Sequence, residues 1–549
     1  MTAGDLVRRR RPSARQLGAV ALAGVGSLAV VVIATIIRPL EAATIDPDAA
    51  ASVLYFERIV GGARLEAFVP TTPKPLLTLV YGLTWAVGHD WRLLVSETLL
   101  AFGLAVGLAG WWFARLGRTV GGGRSDGSIA SVVASTFVVT GLVASPELIL
   151  EVSRANSLVW ALAGWLVAGL AMTGARRRPL LAGIALLVAG LARFETLAIV
   201  GIAGLALATQ AALPGAGIGR RPARRDWLVL VGALALPIAC LHDLLLTGDP
   251  FFWATVPARY TELYLPGAEP LGPLEYARIL AARYAPQWAL AAVAALGLAF
   301  LVVRRAWVAA IGLAGLGGGL VVLLFGLSAR GTYISARYYE PLDLALLGLA
   351  GAGVAGLVAL ALGRRWIGSA RQRSTTVGLV LGAVGAATVV LIVAWPPALI
   401  EPRVARELDL VRTASDNVPA YMRRLGELAG TADGTLASPG PVGAPLADPA
   451  GATLFVPSLL RPRIAVETGA SLSLLGDSYA AFVGAGPWVG LHPGQHLYHD
   501  RAADRPAALD DALQADPARL GVAEAAAEFV DDVRGVRILI VTGPDAPAR

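Results

Sequence analysis

The sequence predicts a polytopic α-helical membrane protein of about 11 spans with a C-terminal extracytoplasmic α/β domain. Three observations carry this. The 549 residues are 56% hydrophobic and 15% charged, where soluble chains carry about a quarter charged residues. Apolar runs of about 18 or more residues recur, the length a helix needs to cross a bilayer. Beyond residue 397 the chain turns rich in Asp, Pro, Ala and Gly, with short strand-like and helix-like runs. About 150 residues of that kind can bury a core of their own.

The isoelectric point of about 9.8 invites a nucleic-acid reading. The arginines, however, sit in short runs between apolar segments, as in cytoplasmic loops under the positive-inside rule. No nucleic-acid partner is therefore expected. The one cysteine, Cys240, excludes a disulfide framework or thiolate metal site within one chain.

Taken in order, Arg8–Arg11 and Arg15 precede an apolar run over about 17–38. That run is too long for the core of a secretory signal and reads as an uncleaved signal-anchor. Residues 39–92 follow as the first extracytoplasmic loop. Within it 75–88 is apolar but short, bounded by Pro75 and by Gly88-His89-Asp90, which predicts an interfacial or re-entrant helix. Further basic runs are Arg115, Arg118 and Arg124; Arg176–Arg178; and Arg220, Arg221, Arg224 and Arg225. Arg304 and Arg305 come next, then Arg364, Arg365, Arg371 and Arg373. If all face the cytoplasm, an even number of spans separates each from the next. Spans then fall near 93–114, 128–145, 157–175, 180–193, 196–212, 227–246, 287–303, 306–326, 342–362 and 376–396. Residues 1–397 form the transmembrane domain, with the N-terminus cytoplasmic, and 398–549 the outside domain. The protein is placed in the plasma (inner) membrane as a multi-pass chain. In the tail, ATLFVPS, RIAVET and RILIVTG read as strands, and ALDDALQ and AEAAAEFVDDV as helices.

Charges beside a membrane are costly and so are functional candidates. Asp46 and Asp48 flank Pro47 ahead of AAASVLYF. They can cap a helix, act as general base, or ligate a metal. Lys74, between Pro73 and Pro75, is the only lysine in the chain. A compact ammonium is a point charge suited to phosphate; the bland alternative is snorkelling to the headgroups. Glu151, Arg154, His242 and Asp243 belong to the same outward set. Arg193 and Glu195, two apart at a helix break, either satisfy each other or serve a ligand. GTYISARYYEPL (331–342), just after Arg330, places Arg337 with Tyr338 and Tyr339 at the mouth of a span. An aromatic belt explains the tyrosines, whereas a lipid-borne phosphate explains the arginines. His492, His496 and His499 read as surface histidines in a loop, since no HExxH is present.

These pieces together resemble the GT-C superfamily, polytopic glycosyltransferases using polyprenyl-phosphate sugars, of the protein O-mannosyltransferase and aminoarabinose transferase type. An aspartate after the first span leads into a helix ending at Gly61-Gly62. PKPLLTLVYG, GHDWRLLVSETL, SPELILEVSRANS, LLAGIALLVAGLARFETL, LLTGDPFFWATVPARY and ARYYEPL follow in the family's order. The resemblance spans the first 360 or so residues. It departs from the family at Asp-Pro-Asp, where the family has Asp-Glu, and at Arg193-Phe194-Glu195, which lacks the family's proline. It implies a catalytic first-loop aspartate, Asp48 ahead of Asp46, and a donor-phosphate contact from Lys74. Arg193, Arg330 and Arg337 are further phosphate candidates. The implied activity is transfer of a sugar from a polyprenyl-phosphate donor to an envelope glycan, lipid or protein, with inversion. No cofactor is assigned; the two aspartates are compatible with a divalent cation and do not require one. A flippase or transporter would need mid-membrane charge pairs and inverted repeats, which the sequence lacks. An envelope scaffold is the third reading.

Overall fold

The computed structural model of the chain describes residues 47–65, 69, 71–121, 125–173, 177–212, 222–264, 272–329, 338–363 and 425. Short pieces at 454–456, 461–468, 475–477, 496–500, 522–523, 529–531 and 536–541 complete the described set. The expected spans at 17–38 and 376–396, and Asp46, Arg330 and Arg337, lie outside it.

Local chemistry sets where the helices begin and end. α1 (Pro47–Val60) and α2 (Pro75–Gly88) both open on proline, whose missing N–H and fixed φ suit a first turn. α2 closes on His89 in the left-handed region (φ 46°), whose N–H returns to the Trp85 carbonyl. Asp90 then caps α3 (Trp91–Val120) by accepting the Arg92 N–H at 2.9 Å. α4 is Ser125–Ala144, and Ser145 caps α5 (Pro146–Ser153) by accepting the Leu148 N–H. α6 (Leu158–Thr173), α7 (Pro179–Ala192) and α8 (Thr196–Ala212) follow. Arg224–Leu234 is wound as a 3₁₀ helix and runs into α9 (Ala235–Thr247), which Gly248 ends at φ 84°. α10 (Phe252–Tyr264), α11 (Pro273–Tyr284), α12 (Trp288–Val303), α13 (Trp307–Ser328) and α14 (Glu340–Gly363) complete the helical body. The region 247–286, between the expected spans 227–246 and 287–303, holds two helices, α10 and α11.

Among the described residues four stretches are long and apolar enough to cross a membrane. They are Arg92–Val120, Arg224–Thr247, Trp307–Ser328 and Glu340–Leu360. α11 and α12 make a fifth if their 100° bend lies within one span. α2, α6, α7, α8 and most of α4 are apolar but shorter. With 14 residues apiece, α2 and α7 reach only about 21 Å, against ~30 Å of hydrocarbon. The length argument that makes 75–88 interfacial thus applies equally to the expected span at 180–193. The protein is a multi-pass membrane protein, but its described helices do not add up to eleven spans.

One apolar core joins α1 to α8, the 3₁₀ helix, α12, α13 and α14. Small residues let the helices approach. A Cβ on Gly297 would strike the Leu349 carbonyl, and one on Gly353 the Val293 carbonyl. α12 and α14 therefore meet backbone to backbone, as membrane helices do. α2 is apolar on both sides. Leu77, Tyr81 and Trp85 are buried, while Leu79, Leu83 and Val87 are exposed, as befits a helix lying against both protein and lipid.

After α14 the described pieces are six short strands and a helix. The strands are β1 (Leu454–Val456), β2 (Leu475–Asp477), β3 (His496–Asp500), β4 (Val522–Ala523), β5 (Phe529–Asp531) and β6 (Val536–Val541). β1 pairs in parallel with β2 and β3. β6 pairs antiparallel with β3, β4 and β5. Two expectations fail here. RIAVET belongs to a helix, α15 (Arg461–Thr468): Pro462 suits a first turn, and the helix packs on α1. Part of AEAAAEFVDDV is strand rather than helix, because β6 offers it a partner. His496 and His499 stand on a strand, three apart and hence on opposite faces, which does not suit a shared metal ion.

Candidate active site

The site is built where α1 and α2 meet. Asp48 lies in the first turn of α1 and is 4% exposed. Pro73 and Pro75 fix the backbone around Lys74, the extended residue just before α2. The Lys74 ammonium meets Asp48 Oδ2 in a hydrogen-bonded ion pair. Chain neighbours could not make this contact: 26 positions separate the two residues. Tyr55, two turns along α1 from Asp48 and on the same face, donates to the Thr71 carbonyl at 2.7 Å. Burial pushes its phenol well above the ordinary value of 10.0, and the charges of Asp48 and Asp243 act in the same direction. Tyr55 thus keeps its proton and, through it, ties Thr71 to α1.

A second pair stands at the break between α7 and α8. Arg193 donates to Glu195 Oε1 through Nη2 at 2.8 Å and Nε at 3.3 Å. Burial works against the guanidinium charge, but Glu195, Glu340 and Glu151 outweigh it and hold Arg193 above its ordinary range. Burial likewise pushes the Glu195 carboxyl up. The Arg193 charge and hydrogen bonds more than reverse this, Lys74 adds to the reversal, and Glu195 ends below the usual carboxylate range. The two ion pairs therefore feel each other. Tyr338 lies beneath Arg193, with its ring centroid 5.9 Å from the guanidinium carbon, within cation–π reach. Glu151 is buried in the last turn of α5, and Arg154 ends that helix. Chain direction gathers these groups at one end of the bundle and leaves Arg115, Arg118, Arg177, Arg178, Arg304 and Arg305 at opposite helix ends.

Tyr81 ties the site to the body. Its hydroxyl donates to the Ala155 carbonyl at 2.8 Å, accepts the Trp160 Nε1–H at 3.1 Å and lies 2.8 Å from Thr98 Oγ1. Tyr81→Phe leaves these buried groups short of a partner and should cost about 1–3 kcal/mol. Thermal unfolding in detergent checks this; an unchanged midpoint would show that the network adds nothing to stability.

His242 and Asp243 are buried beside α2, with His242 Nε2 at 3.2 Å from Thr78 Oγ1. Sequence reading missed Thr78. The usable signal is spacing, since Thr78 lies one helical turn beyond Lys74 on the same face. It also missed a cluster at the start of α14, where Asp343 accepts from Arg283 at 3.1 Å and Tyr284 at 2.8 Å. Nothing in the chain order brings residues 60 apart together.

Among the described residues no three His, Cys, Asp or Glu side chains are placed to hold a metal ion. Asp48 is met by Lys74 and Glu195 by Arg193. Asp48 and Glu195 are thus each engaged by a cation of the chain rather than presented as ready ligands for a divalent ion, while Asp46 lies outside the described residues.

The arrangement of helices defines the class: a multi-pass membrane protein whose fold is shared by solved membrane enzymes. The particular likeness is to the oligosaccharyltransferase of Archaeoglobus fulgidus. Tethered to an acceptor peptide containing the NVT sequon, that enzyme aligns with a TM-score of 0.53 at 12% identity, covering 95% of this chain and 74% of that one. Its complex with an inhibitory peptide and a dolichol-phosphate aligns with the same values. A third structure, a complex with Zn and sulfate, gives 0.50 at 13% identity over 95% and 74%. Identity this low establishes fold alone. No protein-family model matches the sequence, and no curated protein matches it.

Proposed function

We propose that the protein is a glycosyltransferase that moves a sugar from a polyprenyl-phosphate donor to an envelope acceptor on the extracytoplasmic side of the plasma membrane, with inversion. The observation that carries this reading is the buried contact between the only lysine and Asp48. The shared fold supports a lipid-linked donor, since the A. fulgidus enzyme was solved with a dolichol-phosphate. Arginine runs at the helix ends opposite the acidic site support a cytoplasmic N-terminus. The described strands and α15 support one extracytoplasmic α/β domain over 398–549, lying against α1. The acceptor is a glycan, lipid or protein hydroxyl.

The chemistry follows from charge. The arriving donor phosphate draws the Lys74 ammonium toward itself, which frees Asp48 Oδ2 for the acceptor. Asp48 takes the hydroxyl proton as the acceptor oxygen bonds to the anomeric carbon. The bond from that carbon to the phosphate oxygen breaks, and polyprenyl phosphate leaves with the electron pair, its charge held by Lys74. Arg330 and Arg337 are further phosphate ligands in this scheme. Arg193, committed to Glu195, neutralises the acidic rim instead. Phosphate is a good leaving group, so positioning and charge neutralisation supply most of the acceleration.

The test is a strain lacking the protein, profiled for lipid-linked sugars and envelope glycans and complemented with variants. The donor should accumulate and one glycan shorten. Lys74→Met should reach the membrane at wild-type level yet turn over about 10²-fold more slowly. Full restoration by Lys74→Met would sink the enzyme reading and favour a scaffold. Donor trapped on the cytoplasmic side would favour a flippase.

A further inference from the structure

Lys74 is aimed from behind. Its carbonyl accepts the Thr78 N–H at 2.9 Å, so Thr78 belongs to the turn that carries it. The buried Thr78 hydroxyl lies 3.2 Å from His242 Nε2, and His242 Nδ1 lies 3.1 Å from Asp243 Oδ1. Asp243 is fully buried, and its Oδ2 accepts the Trp253 N–H at 2.6 Å. The geometry suits a proton on Nδ1 toward the Asp243 carboxyl, with Nε2 facing the threonine hydroxyl. Both ring nitrogens are thereby engaged inside the protein, and neither is left over for a substrate. Beyond Asp243, the Trp253 ring packs on Phe194 with centroids 4.9 Å apart. Phe194 stands between Arg193 and Glu195, and Glu195 feels the charge of Lys74. The contacts run from the Lys74 turn through Thr78, His242, Asp243 and Trp253 to Phe194, beside the Arg193–Glu195 pair.

We infer that Thr78, His242 and Asp243 are positioning residues, which fix the first turn of α2 and so point the Lys74 ammonium at Asp48. The functional meaning of that aim rests on Lys74 as the donor-phosphate residue; the aim itself does not. Because Lys74 is the only lysine, an amine-directed reagent reports on it alone apart from the N-terminal amine. Full-length protein in detergent is acetylated briefly with an acetyl succinimidyl ester, and the peptide carrying Lys74 is quantified by mass spectrometry. Thr78→Val keeps the shape and removes the hydroxyl; it should raise the acetylation rate of Lys74 about five- to tenfold, the factor one lost hydrogen bond gives. Thr78→Ser, which restores a hydroxyl, should stay within about twofold of wild type by the same reasoning. Equal rates for wild type and a folded Thr78→Val, or a Thr78→Ser as reactive as Thr78→Val, would overturn the inference. If Thr78→Val does not fold, His242→Ala carries the same expectation and the same overturning result. No donor or turnover enters the measurement, so loss of the enzyme reading and loss of this one are separately visible.

Discussion

Asp48→Asn should reduce sugar transfer by about 10²–10⁴-fold, the range set by loss of a general base, while leaving the protein folded in the membrane. Asparagine keeps the size of the side chain and an oxygen that accepts from the Lys74 ammonium, so the join between α1 and α2 survives. What it cannot do is take the acceptor proton. The expected signature is a fall in kcat with donor binding retained, in contrast to Lys74→Met, which should weaken donor binding as well. Donor binding to the variants can be followed by protection of the protein against thermal unfolding. If Asp48→Asn turns over within about threefold of wild type, far short of a lost general base, another group carries the proton and the assignment of Asp48 is wrong.

Arg193→Met should destabilise the folded protein by about 3–5 kcal/mol, because it strands the Glu195 carboxylate in a buried setting. Arg193 is 5% exposed and its partner 13%, so little solvent screens the pair. Removing both charges in Arg193→Met/Glu195→Met should recover most of that loss, since replacing a whole buried pair by apolar groups is often close to neutral. Thermal or denaturant unfolding of the two variants decides it. A double variant no better than the single one would mean that Arg193 chiefly serves Glu340 and Glu151. The pair also sets a pH dependence. Glu195 is held below its ordinary value of 4.5, so its contribution is fully present above that value. It is lost as the pH falls through the lower folded value, and the double variant should lack this acid sensitivity.

Much of the site was legible in the chain, for identifiable reasons. A sequence with 46 basic residues that keeps a single lysine, locked between two prolines, marks that position by composition alone. The acidic residue in the first turn of an apolar helix marks Asp48 in the same way. The pairing of Arg193 with Glu195 was one of two readings that short spacing allowed. Less was legible where the distance along the chain is long. The Thr78–His242 contact joins positions 164 apart, and the Tyr81–Ala155 bond positions 74 apart. Neither residue pair has a local pattern that could announce it. Short apolar helices are less legible. Hydropathy reads 180–193 as a span and 75–88 as an interfacial helix, yet α7 and α2 have the same length of 14 residues.

The sequence by itself determined that the chain is a membrane protein, where most helices begin and end, and that acids and arginines separate to different helix ends. These follow from hydropathy, from proline and cap residues and from charge, all of which act locally along the chain. Only the tertiary structure decided that Lys74 meets Asp48, that His242 stands behind Thr78, and that a helix from beyond residue 460 rests on α1. Such contacts depend on how helices pack, and packing is settled by shape and by burial of charge between segments far apart in the chain.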